Sequence, residues 1–337
     1  METKRRHNNT GKPEERHSFI QRAGLILPYL LPSDLASISS ACKTLRDISQ
    51  SITSRRSSDA ARSLDNSPVP FVNEIDHQPY SYFIYTPVQT ISSSSSSSNS
   101  DLQVQPWGYD PDTRPDLTNL SFPDPFLFRV QGAAGCACGG ICERVSGCPC
   151  FGDQETVDRE CGPSCECGPG CGNRITQRGV MVKLKIVRER RKGWCLCAAE
   201  FIPKGQFVCE LLSTKEAQSR QQMYDDLAIN GQLSPALLVV KEHLPSRDVC
   251  MRTNIDATRV GNVARFMNHS CDGGNMNTTI VHSSGSLVPR ICLFASRDIH
   301  NHEELTFSYG DNRLRKQGLP CFCGSSCCQG FLPSERT

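Results

Sequence analysis

The chain has 337 residues, enough for two or three folded units. Lys and Arg number 37 against 35 Asp and Glu, a net charge of only +2, which gives no argument for bulk nucleic-acid binding. Twenty cysteines are the outstanding count. Residues 1–21 are charged and lack the apolar core of a signal peptide, and the best apolar run, residues 25–31, is too short to span a bilayer and contains Pro28. The expectation is no membrane association and a reducing compartment, where clustered cysteines more often bind metal than form disulfides.

In the N-terminal third, Leu27, Leu30 and Leu31 precede Pro32-Ser33-Asp34-Leu35, and Ile38, Cys42, Leu45 and Ile48 follow at helical spacing. Ser33 is the expected N-cap of a helix from Asp34. With Ala41-Cys42-Lys43-Thr44-Leu45-Arg46, this stretch resembles the second half of an F-box, which implies a ubiquitin-ligase adaptor as partner. An amphipathic helical hairpin without that partner has the same pattern. Tyr80, Tyr82, Phe83 and Tyr85 alternate well enough for one or two strands within residues 71–88. Seven consecutive serines at 92–98 read as a linker, and residues 106–125 as an extended, proline-rich stretch with Trp107 and Tyr109 packed on a neighbour.

From Cys136 the composition changes. Cys136, Cys138, Cys142, Cys148 and Cys150 are followed by Cys161, Cys165, Cys167 and Cys171, with Gly and Pro filling the gaps. Such a segment can bury little core, so metal binding would supply its folding free energy. Nine thiolates complete three tetrahedral zinc shells if three of them bridge.

The nine-cysteine array resembles the pre-SET domain of Su(var)-class histone-lysine methyltransferases, in particular the plant suppressor-of-variegation-related group. The resemblance runs from Cys136 to Gly330. It implies a mostly β chain with short helices: a knot-like SET fold flanked by a zinc-cluster pre-SET domain and a zinc-binding post-SET tail, after a small helical N-terminal region. The expected division is a basic helical region at 1–60, a variable region at 61–130 with its linker at 92–100, pre-SET at 131–178, SET at 179–312 and post-SET at 317–333.

Within the SET region, Val182, Leu184 and Ile186 alternate with Lys183 and Lys185 as a half-buried strand. The basic turn that follows leads into Lys192-Gly193-Trp194-Cys195, similar to the family's Gly-Trp-Gly, whose backbone wraps the methionine end of S-adenosylmethionine. Cys195 stands where the family usually has a second glycine. Cys209-Glu210 occupies the family's Gly-Glu position, and Ser213-x-x-Glu216 is a capping box opening a helix to about Asp226. The family's channel tyrosine is replaced by Ala236, and Tyr224 is the candidate substitute. Arg265-Phe266-Met267-Asn268-His269-Ser270-Cys271 then resembles the cofactor signature: Asn268 and His269 bind S-adenosylmethionine and Arg265 and Phe266 pack the site. The following Asp272-Gly273-Gly274-Asn275 is one residue longer than the family's Asp-Pro-Asn.

Glu303-Glu304-Leu305-Thr306-Phe307-Ser308-Tyr309-Gly310 resembles the second SET signature. The resemblance makes Tyr309 the catalytic tyrosine, also touching the cofactor, and Phe307 a channel residue that leaves room for a second or third methyl. Cys321, Cys323 and Cys328 match the post-SET pattern, with Cys271 as the implied fourth ligand of a further zinc and Cys327 a spare. Cys42, Cys195, Cys197, Cys209, Cys250 and Cys292 read as buried small apolar residues. The implied activity is methyl transfer from S-adenosylmethionine to a lysine of histone H3, the ninth of its tail. That places the protein on the nucleosome in the nucleus, at repressed chromatin. The competing readings are a non-catalytic SET/zinc scaffold on chromatin, supported by Cys195 and Ala236, and an F-box adaptor fused to a SET domain.

Overall fold

The computed structural model describes residues 13–88, 105–110, 126, 129–143, 147–152, 157–212, 237–243, 250–310 and 319–333. The Lys4-Arg5-Arg6 cluster, the serine run, the helix from Ser213, Tyr224 and Ala236 lie outside these residues.

Three helices open the fold: α1 (Pro13–Ile26), α2 (Pro32–Ser39) and α3 (Lys43–Ser58). Pro32 sits in the first turn of α2, where its missing N–H costs nothing, so the cap is Leu31 and Ser33 lies inside the helix. Ala23, Leu27, Leu35 and Ile52 form a small helical core. Cys42, expected to be buried, is exposed just before α3. The end of α3 leaves the helical cluster and enters the main body. Arg56 there is fully buried, donating to the carbonyls of Trp107 (2.9 Å), Pro28 (3.0 Å) and Leu30 (2.8 Å) and to Tyr80 Oη (3.1 Å). A buried guanidinium is tolerated because those acceptors replace its water.

The aromatic run yields two short strands, β1 (Phe71–Val72) and β2 (Ile84–Tyr85). Strand β1 extends the hairpin of β4 (Leu184–Glu189) and β5 (Gly193–Ala198), while β2 pairs with β9 (Val260–Gly261). Phe71 meets Trp194 edge-on at 5.1 Å and Phe266 at 5.8 Å, and Phe83 meets Phe266 at 5.4 Å. The described part of the N-terminal third is therefore built into the core of the C-terminal part.

A four-stranded sheet runs β3 (Arg159–Glu160), β11 (Met276–Ser283), β12 (Arg290–Ala295), β6 (Phe207–Leu211). The remaining strands pair as β7 (Leu237–His243) with β8 (Cys250–Asp256), and β10 (Asn268–His269) with β13 (Thr306–Phe307). Strand β3 belongs to the cysteine-rich segment, so that segment is hydrogen-bonded to the sheet.

A buried polar chain reinforces the join. Arg290 on β12 donates to Glu210 on β6 (2.7 Å) and to the hydroxyl and carbonyl of Thr176 (both 2.7 Å). Thr176 in turn donates through its N–H (2.7 Å) and hydroxyl (2.8 Å) to Glu160. The two carboxylates outweigh the desolvation of Arg290 and hold its pKa above the usual arginine range.

Candidate active site and metal centres

Strands β10 and β13 lie parallel, pairing Asn268 with Thr306 and His269 with Phe307. This short pair brings together two signatures about forty positions apart in sequence. Tyr309, just beyond β13, donates its hydroxyl to the carbonyl of Met267 at 2.8 Å, and its N–H to His269 Nδ1 at 3.2 Å. Burial, helped by the charge of Glu304, pushes the Tyr309 hydroxyl up, so it stays protonated and acts as a donor. Tyr309, Phe307 and Met267 wall a small cavity of about 40 Å³ with Leu211, Ile255 and Ala257. The lining is mostly apolar, with Asn262, Arg265 and the tyrosine hydroxyl as its polar side chains. Leu211, Ile255 and Ala257 escaped the sequence reading, because a strand-end leucine or a loop alanine carries no mark of function.

On the other side of β10 the residues expected to hold the methyl donor gather. Gly193 opens β5 with φ +86°, a conformation that a side chain would strain, and nothing but the Arg188 guanidinium lies near the space above its Cα. The turn before it is held by Glu189, which accepts the N–H groups of Arg191 (2.6 Å) and Lys192 (2.5 Å). The Lys192 ammonium reaches Glu304 at 2.6 Å, and Asn268 donates its amide to the same carboxylate at 3.0 Å. Glu304 was not singled out from the sequence; a glutamate in an acidic turn before a strand reads as solvated. Cys195 lies in extended strand backbone opposite Val187, so it needs no glycine conformation.

Arg265 and Phe266 hold the site from behind. The Arg265 guanidinium binds the carbonyls of Ala257 (2.9 Å) and Thr258 (3.1 Å) and lies 4.6 Å from the Phe83 ring centroid, while Phe266 packs into the aromatic cluster. The extra residue after Cys271 is absorbed by two glycines in the left-handed region. A Cβ on Gly274 would stand 2.3 Å from the carbonyl oxygen of Thr306.

None of the described cysteines is in a disulfide. The sulfurs of Cys136, Cys142 and Cys161 form a near-equilateral triangle with edges of 3.8, 3.8 and 3.9 Å. Tetrahedral zinc with bonds of about 2.3 Å has sulfur–sulfur edges of about 3.8 Å. The other six cysteines of the array cluster around this triangle in overlapping groups of four, each suited to a metal. A separate group joins Cys271 to Cys321, Cys323 and Cys328, with Cys271 and Cys321 3.8 Å apart. Cys327 is exposed and outside that group. His269 Nε2 lies 3.3 Å from Cys271 Sγ, so this centre abuts the active-site strand.

The oxygen of the Asn268 carboxamide and the Trp194 carbonyl suit an ammonium, Glu304 being already paired with Lys192, and the open space at Gly193 admits the ligand's backbone-hugging end. The chemistry of these residues therefore fits S-adenosylmethionine, which carries an ammonium and a sulfonium.

Comparison with known proteins gives the same picture. The SET domain family matches residues 193–310. The chain is 49% identical over 327 residues to the histone-lysine N-methyltransferase SUVR3 of Arabidopsis thaliana, spanning 95% of this chain and 92% of that one. Among solved structures, it is similar to the methyltransferase domain of human SETMAR, with a TM-score of 0.55, 26% identity and coverage of 82% of this chain and 97% of that one. It is similar too to KRYPTONITE in complex with mCHH DNA, H3(1-15) peptide and SAH, with a TM-score of 0.56, 26% identity and coverage of 81% and 53%. The chain belongs to the SET-domain histone-lysine N-methyltransferases of the Su(var) class.

Proposed function

We propose that this enzyme methylates the ninth residue of the histone H3 tail. The observation that carries the reading is the narrow apolar cavity closed by Tyr309 and Phe307 where β10 meets β13. Support for the substrate comes from the similar KRYPTONITE structure, whose bound peptide, H3(1-15), includes that lysine.

Bound S-adenosylmethionine supplies an electrophilic methyl group to the lysine amine. The chain's own residues align and desolvate. A free lysine, with a pKa of about 10.4, is mostly protonated at neutral pH, and an apolar channel of this kind disfavours the charged form. Tyr309, fixed by the Met267 carbonyl, orients the amine, and Phe307 leaves space beside it. Lys192, Gly193, Trp194, Asn268 and His269 would hold the donor on the opposite side. We take the nine-cysteine cluster to bind three zinc ions, bridged by Cys136, Cys142 and Cys161, and the Cys271 group to bind a fourth. Residues 131–178, 179–312 and 317–333 are the corresponding functional segments. Nuclear chromatin is the expected place of action. The scaffold alternative loses the support of Cys195, whose backbone is ordinary strand. Mass spectrometry of H3 tail peptides after incubation with protein and S-adenosylmethionine tests the proposal. Mass gain on the parent peptide, and none when the ninth residue is alanine, is the expected result; gain on both would move the site elsewhere.

A further inference from the structure

Cys195 is the residue at which this chain departs from the glycine of its family, and the structure gives that departure a use. The side chain is 3% exposed. Its sulfur accepts a hydrogen bond from Asn268 Nδ2 at 3.1 Å, and the same amide binds the Glu304 carboxylate at 3.0 Å. Burial first, and then the Glu304 charge, push the thiol well up, so it is protonated in the working range of the enzyme. The neutral thiol thus serves as an acceptor for the Asn268 amide.

The consequence falls on Asn268. Its amide nitrogen faces Glu304 Oε1 at 3.0 Å, Cys195 Sγ at 3.1 Å and the Trp194 carbonyl at 3.5 Å. A carboxamide whose nitrogen is held on one side presents its oxygen on the other. With glycine at 195 the nitrogen would lose one acceptor and a gap would open beside it.

We propose that Cys195 is a positioning residue of the methyl-donor site: its sulfur, together with Glu304, holds the Asn268 carboxamide with its nitrogen inward and its oxygen toward the donor. This rests on the reading above that Asn268 lies in the donor site. It makes the cysteine a working replacement for the family's glycine.

The test uses the full chain with its metals and four proteins: the parent, C195A, C195G and C195S. Binding of S-adenosylhomocysteine is measured by calorimetry, and KM and kcat for S-adenosylmethionine with an H3 peptide. C195A and C195G should weaken donor binding and raise its KM about fivefold, the effect of one lost hydrogen bond, with kcat changed less than KM. C195S, which can still donate and accept, should recover most of that loss. A merely structural cysteine would give equal defects in C195A and C195S, or a fall in kcat and thermal midpoint with donor KM unmoved. Either outcome overturns the proposal. The infrared S–H stretch supplies a direct signature, because metal-bound cysteines carry no S–H. The parent-minus-C195S difference band should shift when S-adenosylhomocysteine is added, and a fixed band counts against the contact with Asn268. A parent that binds S-adenosylhomocysteine but transfers no methyl would sink the functional reading and leave the binding test of Cys195 intact.

Discussion

Tyr309 donates its hydroxyl to the carbonyl of Met267 at 2.8 Å, tying the residue after one signature strand to the residue before the other. The bond fixes the tyrosine ring against the apolar cavity and leaves the oxygen's lone pairs for a substrate amine. Removing the hydroxyl in Tyr309→Phe should cost about a hundredfold in kcat, the scale of losing one preorganised polar group at the reacting centre. Calorimetric affinity for S-adenosylhomocysteine should stay near that of the parent. Parent-like turnover would remove Tyr309 from the mechanism.

Phe307 shares the cavity wall and packs 5.0 Å from the Tyr309 ring centroid. Phe307→Tyr adds a hydroxyl to a space of about 40 Å³. The expected outcome is a product distribution shifted toward the monomethylated peptide, read by mass spectrometry of a time course. An unchanged distribution would show that the step count is set elsewhere in the channel.

Cys271 belongs to the proposed fourth metal centre, and its sulfur lies 3.3 Å from His269 Nε2 of the site. Cys271→Ser should release one zinc per chain while the nine-cysteine cluster keeps its metal, and methyl transfer should fall with that one zinc. Colorimetric zinc release alongside activity checks this. Loss of all metal together would mean that the two centres are not independent.

The Glu160–Thr176–Arg290–Glu210 chain is buried, with Glu160 1% and Arg290 6% exposed. Removing one partner of such a network leaves a charge uncompensated and costs roughly 3–5 kcal/mol. Arg290→Met should therefore lower stability by about that amount in urea titration. Arg290→Lys should also destabilise, because an ammonium cannot span Glu210 and Thr176 as the guanidinium fork does.

Asp65 accepts a hydrogen bond from Tyr85, and burial raises its pKa from 3.8 to about 6. Its folded pKa is above its unfolded one. Its stabilising contribution is thus complete below about pH 4 and lost as pH rises through about 6. Asp65→Asn, which keeps an acceptor for Tyr85, should match the parent near pH 4 and gain on it up to pH 7, by about 3 kcal/mol. Thermal midpoints of the pair across that range decide it, and a constant difference would place the penalty elsewhere.

The cysteine spacings and the two signatures made the cysteine groups and the approach of Asn268 to Tyr309 legible, whereas the parallel pairing of Asn268-His269 with Thr306-Phe307 was not read from the sequence. The strand with Leu184 and Ile186 was legible from its alternation, and appears as the start of β4. What the sequence did not disclose was long-range partnership. Nothing in Phe71 or Phe83 indicates that they pack against Phe266 nearly two hundred positions away, so a region that looked variable is part of the core. Arg265 and Phe266 read as site residues by proximity in sequence, whereas their side chains point to that aromatic cluster. Glu304 and the Cys195 thiol were missed because each gains its role from Asn268, some forty to seventy positions distant.

The active region draws on Gly193, Asn268, Tyr309 and Cys328 in that order along the chain. A ribosome making this protein thus releases a long, metal-hungry but powerless polypeptide, in which nine thiolates can be sequestered early while the methyl-donor side stays open. Only when the final cysteine has cleared the exit tunnel can the last metal centre close against His269. On the proposed roles, a chain that stops between Cys171 and Cys328 keeps the nine-cysteine segment but cannot complete the Cys271 group, so it could compete for zinc without transferring methyl.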